Sequence, residues 1–137
     1  GCESKGSTYT ISGNTGIQCG VRSYDSTYTI NGDTGGWCGF NSQNSTYTIS
    51  GDTGDACGHG SQDSTYTIHG NTGYSCGKES QHSTYTINGN TRERCGTQSR
   101  NSTYQTTNKK TYQKMLSDVL NQNAKESIRN KVILLEK

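Results

Sequence analysis

Hydrophobic and polar residues alternate over a short segment that recurs every 19 residues along most of the chain. The segment reads Ser-Thr-Tyr-Thr-Ile, which places tyrosine and isoleucine on one side of an extended strand and both threonines on the other. Threonine, tyrosine and isoleucine all favour strands, so each segment is predicted to be one. The copies begin at Ser7, Ser26, Ser45, Ser64, Ser83 and, shortened to Ser-Thr-Tyr-Gln, Ser102.

The repeat predicts an all-β fold, a β-solenoid of 19-residue coils. Each coil is one rung, stacked on the previous rung at about 4.8 Å, and we expect five to six rungs. Gly13-Asn14 and its copies are predicted to turn corners with positive φ. A second short strand is predicted through Cys19-Gly20, and Ser23 and its copies are expected to bond to the backbone of the next corner.

Isoleucine is the one aliphatic residue at the same position of every complete repeat, so it is predicted to face the core. Because tyrosine lies two residues before isoleucine, on the same side of the strand, it is also predicted to face the core, and both threonines to face outward. The alternative, with tyrosine outside, would leave isoleucine in water. The predicted core ladders are Tyr9, Tyr28, Tyr47, Tyr66 and Tyr85 with Ile11, Ile30, Ile49, Ile68 and Ile87.

Composition excludes several classes of protein. Hydrophobic residues are 26% of the 137, which is low for an ordinary globular core, and the net charge of +2 is too small for charged disorder. Threonine (20), glycine (18) and serine (17) fill the deficit without the Gly-X-Y period of collagen. No apolar run of about 20 residues is present, so we expect no membrane partner.

The last 30 residues differ from the repeats and are predicted to be helical. Apolar residues fall at helical spacing from Tyr112 to Leu120 and again from Ala124 to Leu135, with Asn123 and Glu126 as capping residues. Solenoids need such caps because a bare last rung invites polymerisation. The chain therefore divides into a lead-in (1–6), a solenoid (7–107) and a helical C-terminal cap (108–137). The cap's positive charge is interpreted as a solvated helix face rather than a nucleic-acid site.

The chain carries little that predicts catalysis. Cys19, Cys38, Cys57, Cys76 and Cys95 occupy one position of the repeat. They are interpreted as a ladder of buried thiols, with disulfides between neighbouring rungs as the alternative. No Cys-x-x-Cys step, nucleophile with a paired histidine, paired carboxylates or phosphate loop occurs. We therefore expect no enzyme activity, cofactor or metal site.

The side of the repeat that faces outward is uniform, unlike the residues around each cysteine. No charge interrupts its two threonine columns in five rungs, although a merely solvated strand face would mix threonine with charged residues. The predicted functional residues are Thr8, Thr10, Thr27, Thr29, Thr46, Thr48, Thr65, Thr67, Thr84, Thr86 and Thr103.

Outward Thr-x-Thr on stacked rungs resembles the insect β-solenoid antifreeze proteins. Gly6-Ser7-Thr8-Tyr9-Thr10 is similar to the Gly-Ser-Thr-x-Thr of bacterial ice-nucleation repeats. The likeness covers the strand of each rung, while the period of 19 and the cysteine spacing differ from those families. It implies an extracellular ice-binding protein whose partner is the ice/water surface, with hydroxyls that hold water and methyls that order it.

Two other functions remain open. Tyrosine, asparagine and glutamine ladders also suit a structural or amyloid-like filament, in which the chain self-associates by stacking rungs. An adhesin or ligand-binding solenoid would use the variable side instead. Asn44-Ser45-Thr46 and Asn101-Ser102-Thr103 are glycosylation sequons, and a glycan on Asn44 would lie beside the threonine face.

Overall fold

Seven parallel strands follow chain order in one sheet. The computed structural model describes residues 4–120 and 130–135. The strands are β1 Thr8–Ile11, β2 Thr27–Ile30, β3 Thr46–Ile49, β4 Thr65–Ile68, β5 Thr84–Ile87, β6 Thr103–Thr106 and β7 Lys131–Leu134. From β1 to β5, threonine pairs with threonine, tyrosine with tyrosine and isoleucine with isoleucine. The predicted β-solenoid of 19-residue rungs is confirmed.

Backbone hydrogen bonds hold each rung to its neighbours. Thr46 donates its N–H to the carbonyl of Ser26, and Ser50 donates to the carbonyl of Ile30, both at 2.9 Å. The same bonds recur one repeat later, where Thr65 donates to Ser45 at 2.9 Å. Because the peptide groups are paired between rungs, strands of only four residues suffice for a continuous sheet.

Tyrosine and isoleucine fill the interior behind the sheet, as predicted. From β2 to β5 both are 0% exposed, and the tyrosine rings from Tyr28 to Tyr104 stack with centroids 4.7–5.0 Å apart and planes within 3°. The buried phenol remains hydrogen-bonded, since Tyr66 donates to the carbonyl of Gly39 at 2.9 Å and lies 2.6 Å from Ser42 Oγ. The alternative with tyrosine outside is thereby excluded.

The corners differ from the prediction. Residues 17–22 form a turn, so the expected second strand through Cys19 is wrong. Positive φ occurs in that turn, at Gln18 (62°), Gly20 (72°) and Arg22 (56°), and not at Gly13 or Asn14. The chain therefore reverses around the cysteine, while the Gly-Asn corner keeps ordinary backbone angles.

Stacking explains why the Gly-(Asn/Asp) corner recurs. Asn14 Oδ1 accepts the N–H of Asp33 at 2.8 Å, and Asp33 Oδ1 accepts the N–H of Asp52 at 2.7 Å. A Cβ on Gly32 would lie 2.7 Å from the carbonyl oxygen of Gly13 in the preceding rung. Glycine thus allows close approach of two rungs, and the next side chain bonds them together.

The serine of the following corner behaves as predicted. Ser61 Oγ donates to the carbonyl of Gly58 at 2.8 Å, and Ser99 Oγ donates to the carbonyl of Gly96 at 2.6 Å. Each serine closes the turn that contains the left-handed glycine, which fixes the orientation of the buried tyrosine hydroxyls beside it.

The solenoid ends in a short helix and one more strand. Helix α1, Lys109–Met115, is capped by Asn108 Oδ1, which accepts the N–H of Lys110 at 2.9 Å. A π-helical segment follows at Leu116–Leu120, and Met115 and Val119 are buried against the last rung. The predicted helical cap is confirmed in this part of the chain.

The second predicted helix is wrong where the structure describes it. Residues 131–134 form β7, which extends the sheet in parallel, with Val132 beside Tyr104. Asn130 takes the place of the serine that precedes each regular strand. Its Oδ1 accepts the N–H of Ser102 at 3.0 Å. The predicted capping residues Asn123 and Glu126 lie outside the described residues, as does Cys2, the sixth cysteine, which is off the 19-residue register.

Candidate functional site

The outward residues of β1 to β5 form an array of threonines two columns wide and five rungs long. Thr27 pairs in register with Thr46, and Thr29 with Thr48. Strand geometry separates neighbouring rungs by about 4.8 Å and the two columns by about 6.7 Å. Ten of the predicted functional residues therefore lie together on one side of the sheet, a surface that we call the threonine array.

At its centre the array presents free hydroxyl and methyl groups. Thr46 is exposed and Thr48 is half-buried. Within the described part of the chain, no side chain or backbone group bonds to either hydroxyl. Because threonine is branched at Cβ, its χ1 is restricted, so neighbouring methyls and hydroxyls repeat in a fixed arrangement. The surface therefore combines order with groups available to solvent.

The array ends at β6. Gln105 takes the position of the second threonine there, and its Nε2 donates to Thr86 Oγ1 at 2.8 Å. Thr103 continues the first column, but Lys131 lies beside it on β7. The predicted functional residue Thr103 thus lies at the boundary, and the Gln105 amide holds one hydroxyl of the fifth rung.

Polar columns flank the threonines on both sides. Two residues before the first column lie Asp25, Asn44, Asp63, His82 and Asn101, and two residues after the second column lie Asn31, Ser50, His69 and Asn88. These side chains are exposed or half-buried and change from rung to rung. The regular part of the surface is therefore the two threonine columns alone.

The cysteines form the predicted ladder of buried thiols. All five on the repeat position are free and buried, so the disulfide alternative does not occur. The interaction with Cys38 lowers the pKa of the Cys57 thiol, but the Cys76 thiol and burial together raise it well above the ordinary 9.0. A buried neutral thiol is a poor nucleophile.

Sequence reasoning missed a second, buried threonine ladder. Thr34, Thr53, Thr72 and Thr91 are at most 7% exposed. These hydroxyls face the cysteine ladder; Thr53, for example, lowers the pKa of the Cys57 thiol by hydrogen bonding. A signal is present in the sequence, because threonine follows Gly-(Asn/Asp) in all five repeats, but turn propensity alone does not show that its side chain faces inward. These threonines line the interior and do not belong to the array.

The variable side of the solenoid carries an aromatic cluster. Trp37 is 47% exposed and its ring lies 4.6 Å from that of Phe40, which stacks on His59 at 5.1 Å. Burial lowers the pKa of His59, while Glu79, with its Oε2 3.5 Å from His59 Nε2, raises it. The cluster is confined to two neighbouring rungs and does not repeat along the solenoid.

Comparison with protein-family models, with curated proteins and with solved structures gave no match. Among the described residues, no three histidines, cysteines or acidic residues are grouped so that they could hold a metal ion. The described helices are also too short to cross a membrane. The threonine array is therefore the feature of the structure that bears on function.

Proposed function

We propose that the protein binds ice through the threonine array. The observation that supports this function is the uninterrupted, in-register pairing of threonine with threonine from β1 to β5. A crystalline ligand repeats in two dimensions, so a surface that recognises it must also repeat in two dimensions. The array does so, with no charged side chain within its columns.

The chemistry of threonine suits this role. Each hydroxyl can donate and accept a hydrogen bond to surface water, while each methyl limits the positions that neighbouring water can occupy. The tyrosine stack behind the sheet keeps the rungs evenly spaced, with ring centroids 4.7 and 4.8 Å apart on either side of Tyr66. Many weak contacts that are already ordered before binding can then add to a stable adsorption without a pocket.

Replacing Thr46 and Thr48 together with lysine is expected to abolish ice shaping and thermal hysteresis. The two side chains lie at the centre of the array, and lysines there would interrupt both columns with long, hydrated charges. The fold is expected to survive, because both positions face solvent and strand propensity changes by at most about 1 kcal/mol each. Ice-crystal morphology, thermal hysteresis and circular dichroism provide the measurement.

A matched variant places the same charges elsewhere. Gln43 and Gln62 are exposed on neighbouring rungs and line a shallow groove with Arg22 and Asn41, away from the threonine columns. Gln43→Lys with Gln62→Lys should keep full activity. Unchanged activity in the threonine double variant, or equal loss in both double variants, would contradict the proposed function.

Replacing Gln105 with threonine is expected to increase thermal hysteresis. The change supplies the missing threonine of the sixth rung and frees the Thr86 hydroxyl from the Gln105 amide. Gln105→Ala frees Thr86 without adding a threonine, so its activity should fall between that of the parent and that of Gln105→Thr. If both variants match the parent over a range of concentrations, the size of the array does not determine activity.

A further inference from the structure

A shallow groove crosses three neighbouring rungs on a face of the solenoid that the threonine array does not use. Its volume of about 390 Å³ is within the range of ligand-binding clefts. In each of these rungs a buried serine separates two residues at the surface, so the groove has two walls and a closed floor. The three segments are Arg22-Ser23-Tyr24, Asn41-Ser42-Gln43 and Gly60-Ser61-Gln62.

Gly60 leaves a gap in one wall of the groove. The other rungs carry Arg22, Asn41, Glu79 and Gln98 at this position, and all five residues have a positive φ, between 55° and 71°. Since four residues with side chains adopt this angle, the backbone does not require glycine here. A Cβ on Gly60 would lie 2.2 Å from Oδ1 of Asn41. The Asn41 amide therefore projects into the space that a side chain at residue 60 would take.

Side-chain amides line both walls. Gln43 and Gln62 pair in register on neighbouring rungs, which places them about 4.8 Å apart, and both are exposed. Among the described residues, neither of these amides nor that of Asn41 has a hydrogen-bond partner. Each amide offers two donors and one acceptor oxygen. The groove therefore presents donors and acceptors side by side at a regular spacing.

The other lining residues narrow the class of ligand. Tyr24 is 40% exposed although it is paired on both sides, with Lys5 and Gln43. Among the described residues that line the groove, Arg22 carries the only charge and Tyr24 the only aromatic ring. A nucleic acid needs several cations and an amphipathic helix needs an apolar strip, so this lining suits neither. It favours a neutral ligand with many hydroxyl groups.

We propose that this groove binds a neutral oligosaccharide that lies along the solenoid axis. A sugar hydroxyl both donates and accepts hydrogen bonds, as a side-chain amide does. Gln43 and Gln62 bond to the sugar from one wall and Asn41 from the other, while the ring of Tyr24 packs on the C–H face of a sugar at one end. The groove is separate from the threonine array, so the proposal does not rest on ice binding.

Isothermal titration calorimetry with cellohexaose, laminarihexaose and mannohexaose tests the proposal. At least one of these sugars is expected to bind with a Kd below about 1 mM. Gly60→Asn fills the gap and is expected to abolish binding. Its circular dichroism should match that of the parent, because Asn41 has the same positive φ one rung away. Gln98→Asn places the same residue at the same position two rungs from Gly60, outside the groove, and should bind like the parent.

A second variant tests the amides without a change in the backbone. Gln43→Ala with Gln62→Ala removes two exposed side chains and should weaken binding by at least about tenfold. This variant also decides the question if Gly60→Asn loses its β signal. Titration with polyuridylate provides a charged polymer for comparison.

Three results would overturn the proposal: no sugar of the series binds more tightly than about 1 mM; binding persists in a folded Gly60→Asn variant or in the glutamine double variant; or polyuridylate binds and the sugars do not. All of these variants keep the threonine array and should shape ice like the parent. Sugar binding without ice shaping contradicts the proposed function alone, and ice shaping without sugar binding contradicts the groove alone.

Discussion

Replacing Gly39 with alanine is expected to lower the free energy of unfolding by about 2–5 kcal/mol. Gly39 has a φ of 71°, where alanine is strained by about 1–2 kcal/mol. Its Cβ would lie 2.6 Å from the hydroxyl oxygen of Tyr66 and 2.7 Å from Cε2 of that ring. Overpacking adds about 1–3 kcal/mol, and the ring cannot move aside because it is stacked between Tyr47 and Tyr85.

Urea unfolding followed by circular dichroism measures this loss, and two other positions separate its causes. Asn41, on the same turn, has a φ of 55° and an exposed side chain, so Asn41→Ala tests backbone strain alone. Gly13 has an ordinary φ, and a Cβ added there would meet no heavy atom within 4 Å. Gly13→Ala should therefore change stability by less than about 0.5 kcal/mol. If Gly39→Ala costs no more than Asn41→Ala, the tyrosine stack is not the reason for glycine.

The solenoid is expected to unfold cooperatively in alkali, between about pH 10 and pH 12. Burial raises the pKa of Tyr66 and Tyr85 well above the ordinary phenol value of 10.0. Above that value the unfolded chain loses protons that the native state keeps, so the free energy of unfolding falls as pH rises. Each such group contributes about 1.4 kcal/mol per pH unit, and below pH 9 its stabilising effect is fully present.

Urea unfolding at a series of pH values, with tyrosinate absorbance recorded in parallel, checks this expectation. Tyr85→Phe removes one of the ionising groups, so above about pH 10 its free energy of unfolding should fall less steeply by about 1.4 kcal/mol per pH unit. Its stability at neutral pH will be lower, because Ser61 Oγ and the carbonyl of Gly58 each lose the bond to the phenol and keep only the bond between them. Full tyrosinate absorbance while the β signal persists would show that the stack ionises without unfolding.

The strands, the inward or outward direction of their side chains and the core residues could be predicted from the sequence, because one short segment contains all three signals. Thr27, Tyr28 and Ile30 alternate in polarity and favour strands, and their exact repetition in five copies predicts stacking in register. The threonine array follows from the same parity. Local pattern and tertiary structure agree here because the contacts of each residue are with its own copies in the neighbouring rungs.

The corners could not be predicted in the same way, because glycine has two different uses in this rung. Gln18, Arg22 and Asp25 all adopt positive φ without being glycine, whereas Gly20 is required by the ring of Tyr47 as well as by its angle. Gly32 has an ordinary φ and is required by the backbone of the rung before it. Conformational preference alone does not distinguish these cases, since the contacts that decide them lie one repeat away or more.

The final strand shows the limit of helical spacing as a signal. Val132 and Leu135 fit a helical period with residues before them, but a run of four or five apolar residues fits a strand equally well. The open edge of β6 decides between the two, because Lys131 and Leu135 donate to the carbonyls of Ser102 and Thr106 at 2.9 and 2.7 Å. An unpaired sheet edge therefore overrides a weak local preference.

The identity of successive rungs also bears on how such a chain can change in length. A side chain in a middle rung meets mostly the same residues above and below, for example Tyr66 between Tyr47 and Tyr85. Each rung of about 19 residues is encoded by about 57 nucleotides. Duplication or deletion of one such unit would leave nearly every surviving contact unchanged. Recombination between near-identical repeats can thus lengthen or shorten the threonine surface in whole steps, without a new core having to evolve.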